Sequence, residues 1–326
     1  MNIVIAHNSK IPATEYGGIE RMIWYLGAEL VNMRHKITFL VKAGSVCGFA
    51  DVKILNPSIS INEQIPVNTD FVHLHFQPNE NIDLPHLITV HGNLPNGSLF
   101  FPNTNFVSKN HALRYGADAF VYNGLDWDDY GKPDFSGKGN YVHFLGKASW
   151  RIKNVRSAIN IAHQNKTEIK IIGGTRLNIK MGFRFTTSKW AAFYGMVGGE
   201  QKLDLLKHSK ALIFPVLWHE PFGLAIIESL FFGCPVLATK YGSLPELISD
   251  ELGFLSNNEN ELIKEFKNIG SYKSKFCHQY AADIFNSKIM AENYLLLYEK
   301  ILNGEKINMN LPQYVEKENV LPNFIQ

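Results

Sequence analysis

Residues Ala211 to Glu246 read ALIFPVLWHEPFGLAIIESLFFGCPVLATKYGSLPE. The run Ala211-Leu212-Ile213-Phe214-Pro215 is apolar, as a buried strand leading into a loop is. The loop presents His219-Glu220-Pro221-Phe222-Gly223, and from Leu224 to Phe232 apolar residues recur at helical spacing. The predicted helix therefore aims its first amides at the loop, and those donors, with the positive end of the helix dipole, suit a phosphate or another anion. Glu220 stands beside that N-terminus. Glu228 follows after seven intervening residues, about two turns of an ideal helix, and its carboxylate can accept two hydroxyls, as a ribose offers. Gly233 punctuates the helix, Pro235-Val236-Leu237-Ala238 predicts the next buried strand, and Tyr241-Gly242-Ser243-Leu244-Pro245-Glu246 predicts another turn into a helix. The whole is a strand, anion loop, helix, strand unit.

Upstream, the same alternation holds. Tyr141 to Leu145 predicts a strand, Gly146 to Lys153 a loop carrying Lys147, Arg151 and Lys153, and Val155 to His163 a helix. Cations at the end of a first strand suit an anionic leaving group, and they equally suit a solvated loop. Further elements are a strand at Ile169 to Ile172 ending on Gly173-Gly174, a strand around Ala191 to Met196, and a helix from Gln201 to His208. Downstream, helices are predicted at Glu261 to Ile269 and Asn286 to Leu302, and a polar tail with two prolines follows Asn303 as an extended or loosely ordered arm. The best linker is the Gly- and Pro-rich stretch from Tyr130 to Asn140.

The half before that linker is a second α/β series. Asn2 to His7 predicts a strand; a loop closes on Tyr16-Gly17-Gly18, and Ile19 to Val31 predicts a helix with Met22, Ile23, Leu26 and Leu30 as its apolar stripe. Paired glycines at a helix N-terminus let amides approach a diphosphate closely, or simply make a turn. Strands are predicted at Lys36 to Val41, Asp70 to His75, Leu87 to Gly92, Phe106 to Lys109 and Ala119 to Gly124. His73 and His75 face one side of their strand, as a metal pair or as hydrogen-bonded structural residues, the second fitting better because no third ligand stands at diagnostic spacing. His91 ends a strand at the edge where open α/β sheets bind ligands. Asp126, Asp128 and Asp129 invite a divalent cation, yet acids after the Asn123-Gly124 turn commonly cap or face water.

The totals bound the function. At 326 residues and 45% apolar composition, the chain can form two domains with real cores. A formal charge of +2 argues against a nucleic-acid partner, which demands a concentrated basic footprint. The three cysteines, Cys47, Cys234 and Cys277, lack metal-like spacing and fit a reducing compartment. The N-terminus enters a strand without a charged leader, which predicts no signal peptide, and no apolar run approaches the roughly 20 residues of a membrane helix.

Taken in order, Gly17-Gly18-Ile19-Glu20, Thr89-Val90-His91-Gly92, Asn123-Gly124-Leu125-Asp126, Phe144-Leu145-Gly146-Lys147 with Lys153-Asn154, Phe193-Tyr194-Gly195, and Glu220-Pro221-Phe222-Gly223-Leu224 with Glu228 and Gly233-Cys234-Pro235-Val236 form one set. From about Met1 to Leu302 the chain resembles the family-4 retaining glycosyltransferases of the GT-B fold. The resemblance implies an α/β architecture of two Rossmann-like, doubly wound parallel-sheet domains facing across a cleft. It implies a nucleoside-diphosphate sugar as donor, with Lys147 and Lys153 neutralising the diphosphate and the amides of Phe222, Gly223 and Leu224 binding phosphate and sugar. Glu228 then takes the ribose hydroxyls and Glu220 the donor sugar near its anomeric carbon, while Gly17 and Gly18 close over the diphosphate and His91 reaches the sugar. Glu220, His91 and Lys153 are the implied catalytic set. The implied route is a front-face displacement with retention, in which the leaving phosphate oxygen helps deprotonate the acceptor. By the same resemblance Asp126 belongs to an Asn-Gly-x-Asp segment, so no essential metal and no further cofactor is expected. Lys147 stands where the family usually has Arg, and the first domain is short for the family.

The expected organisation is residues 1–137 as an acceptor-side domain, 138–303 as a nucleotide-sugar domain whose last helix, about 286–302, packs back on the first, and 304–326 as a polar tail. The expected product is a cell-envelope polysaccharide or a lipid-linked glycan, made in the cytoplasm, with peripheral membrane contact left open. A sugar-nucleotide epimerase of the same fold and a non-catalytic nucleotide-sugar-binding subunit remain alternatives.

Overall fold

The computed structural model describes the whole chain except residues 14–16, 180 and 182, so Tyr16 lies outside the described residues. The chain forms two compact units, one of Met1–Trp127 with Phe285–Asn319 and one of Asp128–Ile284 with Val320–Gln326.

Unit 1 runs β1 (Asn2–His7), α1 (Gly18–Asn32), β2 (Lys36–Val41), β3 (Asp51–Ile54), α2 (Ile61–Gln64), β4 (Phe71–Leu74), β5 (His86–Val90), β6 (Thr104–Phe106) and α3 (Lys109–Leu113). Its six strands pair in parallel in the order β3-β2-β1-β4-β5-β6. Every residue of β4 is buried, because a parallel sheet is covered on both faces by its crossovers. On α1, Met22, Ile23, Leu26 and Leu30 pack with Ile3, Ile5 and Phe39, as their helical spacing predicts.

Unit 2 repeats the scheme with β7 (Tyr141–Leu145), α4 (Val155–Gln164), β8 (Glu168–Ile172), a ribbon of β9 (Leu177–Asn178) and β10 (Arg184–Phe185), β11 (Ala191–Phe193), α5 (Gly199–Lys207), β12 (Leu212–Phe214), α6 (Leu224–Phe231), β13 (Val236–Ala238), α7 (Leu244–Leu247), β14 (Gly253–Leu255), α8 (Glu259–Glu265) and α9 (Ser274–Ile284). The sheet order is β11-β8-β7-β12-β13-β14, again all parallel. Its core joins β7, β8 and β12 to α4 through Val142, Phe144, Ala158, Ile161, Ile171 and Ile213. The chain then returns to unit 1 as α10 (Ser287–Leu302), whose Met290, Ala291, Tyr294 and Tyr298 are buried in the same cluster as Ile3 and Leu26. Two doubly wound parallel-sheet units are thus present, the expected fold class.

Local departures have physical causes. Lys109 opens α3 rather than closing a strand, because Ser108 caps the helix by accepting from the His111 amide at 3.1 Å. Residues 119–124 form a bridge from Phe120 to Phe106 instead of a strand. The tail is not loose: Asn308 is buried, accepts from the amides of Asp118 and Ala119, and donates to the carbonyls of Pro102 and Thr104. Its end lies along unit 2, where Ile325 exchanges backbone bonds with Asn257 and Glu259 and Tyr241 donates to the Pro322 carbonyl at 2.7 Å.

Candidate functional site

In unit 2 the crossovers leave β7 and β12 in opposite directions, so the carboxyl ends of these neighbours form the topological switch point at which open α/β sheets bind ligands. The loop after β7 carries Lys147 and Lys153; the loop after β12 carries Glu220 and leads into α6. Backbone bonding joins the two loops, since the Leu217 amide donates to the Ile152 carbonyl at 2.6 Å. Asn154, in the left-handed region at φ 51°, caps α4 and donates from Nδ2 to the Pro215 carbonyl at 2.9 Å. These contacts bring Lys153 Nζ to 2.6 Å from Glu220 Oε2, and Trp218 Nε1 donates to the same oxygen at 2.8 Å. Both charged side chains are about nine-tenths buried. The Lys153 ammonium also lies 4.6 Å from the Trp218 ring centre and 5.3 Å from that of Phe214, a further attraction for a cation held away from water. Lys147 is exposed, with Nζ 5.1 Å from the Trp150 ring centre.

The Glu220 loop is held from behind. Gly242 bridges it in parallel register, the Ser243 amide donates to the Glu220 carbonyl at 2.9 Å, and Ser243 Oγ donates to the Phe222 carbonyl at 2.6 Å. Gly223 supplies the left-handed turn, φ 96°, that starts α6 with its N-terminus at the loop. Two turns on, Glu228 is buried, and its Oε1 accepts from both Tyr130 Oη and Lys202 Nζ at 2.6 Å. Beside it on α6, Ser229 bonds His143 of β7 at 2.8 Å, and Ser209 holds the other ring nitrogen at 2.7 Å.

The sequence reading did not find Lys202, Tyr130, Trp218 or the supporting role of Gly242 and Ser243. Lys202 left a usable signal: it precedes Leu205 and Leu206 by three and four residues, which puts a charged side chain on the buried face of its helix and demands a partner. Tyr130 left none, since nothing local ties a residue at a linker's start to a helix 98 positions later.

In unit 1 the carboxyl ends of β1, β4 and β5 collect histidines. His73 is structural, bonded at 2.8 Å to both Tyr298 Oη and Thr89 Oγ1. His75 Nδ1 pairs with His91 Nε2 at 2.9 Å, and His7 Nε2 lies 3.8 Å from Glu20 Oε1 at the start of α1. The contact with His7 holds the Glu20 carboxyl below its ordinary range. Gly17 adopts an extended φ of 174°, so its requirement is space: a Cβ there would lie 2.7 Å from both Ala13 Cβ and Glu20 Oε2. Among the described residues no three His, Cys, Asp or Glu side chains are placed to hold a metal ion. Likewise no helix is long and apolar enough to cross a membrane.

Desolvation dominates these imidazoles. It pushes His91 down to about 3, with help from nearby His7, pushes His143 down to about 3, and holds His73 and His75 well below their ordinary value. Above about pH 6.5 these groups are neutral in both states and silent. As pH falls below 6.5 the unfolded chain takes up protons that the folded chain refuses, so stability falls by about 1.4 kcal/mol per pH unit for each such group, until the folded values are reached. The midpoint of thermal unfolding is therefore expected to drop as pH falls from about 6.5 to about 5; a flat profile over that interval would contradict the neutral assignment.

Residues 127–269, less than half of the chain, match the family model described as glycosyl transferases group 1. An uncharacterized 41.2 kDa protein in the cps region of Klebsiella pneumoniae is 28% identical over 150 residues, a stretch covering 44% of this chain and 41% of that relative. Among solved structures, AviGT4, a glycosyltransferase involved in avilamycin A biosynthesis, superposes with a TM-score of 0.72 at 19% identity, covering 93% of this chain and 98% of that one. Anabaena Alr3699/HepE in complex with UDP and glucose superposes with a TM-score of 0.63 at 15% identity, covering 92% and 100%. Likeness of this order establishes the fold, which is α/β of the GT-B type.

Proposed function

We propose that this chain is a retaining, metal-independent glycosyltransferase that moves a sugar from a nucleoside diphosphate to a hydroxyl of a glycan or lipid-linked acceptor in cell-envelope polysaccharide biosynthesis. The observation that carries the reading is the buried Lys153–Glu220 pair, set at the unit 2 switch point and directly before the N-terminus of α6. That arrangement supplies what the reaction demands: a cation and helix amides for the leaving diphosphate, with a carboxylate next to them for sugar hydroxyls. Lys147 adds a second, exposed cation. The amides of Phe222, Gly223 and Leu224 take phosphate and sugar oxygens. Glu220 Oε1, which carries neither the Lys153 nor the Trp218 bond, accepts from the donor sugar. Glu228 serves the ribose, and for this its Oε1 must share Tyr130 and Lys202 with the new hydroxyl or exchange them. In unit 1, Gly17 and Gly18 at the start of α1 suit an anionic group, and neutral His91 suits a hydroxyl. The acceptor's proton passes to the departing phosphate oxygen, so the main electrostatic task is to stabilise that oxygen as the glycosidic bond breaks. The cps-region relative supports the polysaccharide setting.

A thermal-shift panel of nucleoside diphosphates and their sugar conjugates tests the reading. One member should raise the unfolding midpoint, since a ligand at a hundred times its Kd adds about 2.7 kcal/mol to the folded state. With that donor and a hydroxyl acceptor, NMR of the product should show the donor's anomeric configuration retained. Conversion of the donor to an epimer without acceptor, or binding with no turnover on any acceptor, would overturn the assignment.

A further inference from the structure

Two histidines on one side of the same strand in unit 1 are held in different ways. His73 has both ring nitrogens bonded, to Tyr298 Oη and Thr89 Oγ1. His75 comes two residues later, where its amide extends the ladder by donating to the Ala6 carbonyl at 2.9 Å, so its side chain leaves on the same face. It is 4% exposed, and its ring makes one hydrogen bond among the described residues, from Nδ1 to His91 Nε2 at 2.9 Å. The two ring centres lie 5.1 Å apart, with the planes 26° from parallel. The hydrogen bonding of a buried imidazole is thus directed wholly at another imidazole.

Both rings are neutral, because burial holds them well below their ordinary pKa. A neutral imidazole has one N–H and one bare nitrogen, so the single proton in the His75–His91 bond fixes the tautomer of both rings. Two arrangements exist. If His91 Nε2 donates, His75 carries its own proton on Nε2, a nitrogen that is enclosed and has no partner among the described residues. If His75 Nδ1 donates, the enclosed Nε2 is bare, His91 Nε2 accepts, and the His91 proton sits on Nδ1. Enclosed N–H groups without an acceptor are rarer than enclosed lone pairs without a donor, which favours the second arrangement. Nδ1 is also the His91 nitrogen that the bond with His75 leaves for a ligand.

Strand order puts the pair at the ligand edge of the sheet. His75 and His91 directly follow β4 and β5, beside the switch point between β1 and β4. We propose that His75 is a positioning residue that holds His91 as its Nδ1–H tautomer, so that His91 meets the donor sugar as a hydrogen-bond donor to a hydroxyl oxygen and not as a base. A histidine side chain in water prefers its proton on Nε2, so His75 selects the form that His91 alone would disfavour. The role agrees with a reaction in which the acceptor's proton leaves on the phosphate oxygen, since that route asks for no histidine base. The contact with sugar rests on the transferase reading; the tautomer does not.

Long-range proton–nitrogen NMR spectra of the histidine-labelled full chain at neutral pH test the assignment, with His91→Gln identifying the His91 signals by their loss. His91 should show a protonated Nδ1 and a bare Nε2, and in His75→Ala it should revert toward the Nε2–H form. In sugar transfer, His75→Ala should lower kcat/KM by about threefold to tenfold, the worth of one hydrogen bond. Joined to His91→Gln, it should cost little more than His91→Gln alone, because the two residues act through one contact. A parent His91 protonated on Nε2, a tautomer unchanged in His75→Ala, or independent losses in the double variant would each overturn the proposal. The parent spectrum is decisive even where His75→Ala fails to fold. Expected tautomers with no sugar transfer would confirm the positioning and overturn the transferase reading.

Discussion

Glu220→Ala is expected to lower sugar transfer by about a hundredfold or more, the range seen when one preorganised electrostatic contact to a developing charge is removed. Lys153→Ala should do the same. The two side chains are a buried pair, so each single change leaves the other charge without its partner, and breaking such a pair costs about 3–5 kcal/mol. Stability and activity therefore need to be separated. In Lys153→Met/Glu220→Gln both charges are gone, and replacing a whole buried pair is often close to neutral. The double variant should accordingly melt higher than either alanine variant while remaining inactive. Full activity in both alanine variants would sink the catalytic reading; a double variant that melts lowest would sink the account of the pair's energetics.

Gly242→Ala is expected to destabilise unit 2 by about 3 kcal/mol and to weaken nucleotide binding, because two costs fall on one residue. The backbone there has φ 66°, which an L side chain resists, and an added Cβ would overlap the backbone N and O of Glu220. Backbone cannot rotate away as a side-chain end can. Gly131 separates the two costs: its φ is 67° and nothing lies within 4 Å of its added Cβ. Gly131→Ala should therefore show only the conformational penalty, about 1–2 kcal/mol. Thermal melts and nucleotide titrations of both variants decide the matter, and equal losses in the two would show that the Glu220 loop does not depend on Gly242.

The alternation of apolar runs with helical stripes made most strands legible, and Asn2–His7 and Lys36–Val41 fall where they were read. What escaped reading lacked periodic burial. β3 is an edge strand, DVKI, with no residue buried, and α9 buries only Cys277 and Ala281, too small a pair to form an apolar stripe. At the site, Glu220, Gly223 and Glu228 could be read because loop, glycine and helix are contiguous in sequence. Their partners could not, since the contacts of Tyr130 and Lys202 with Glu228 span 98 and 26 positions. Side-chain contacts over such separations come from strand order, which periodicity does not encode.

The place of α10 bears on how the protein is made. Residues 1–127 of unit 1 emerge from the ribosome before unit 2, yet Met290, Ala291, Tyr294 and Tyr298 fill the core of unit 1 and Tyr298 closes a hydrogen bond to His73, 225 residues earlier. Vectorial synthesis thus delivers the main body of unit 2 before the unit that begins the chain can be finished. Nascent β1 to β6 must wait with apolar surface uncovered for that interval, a reversal of the usual amino-terminal-first order. Translation speed through residues 128–284 consequently sets how long the unfinished sheet stays open to misassociation and to chaperone capture.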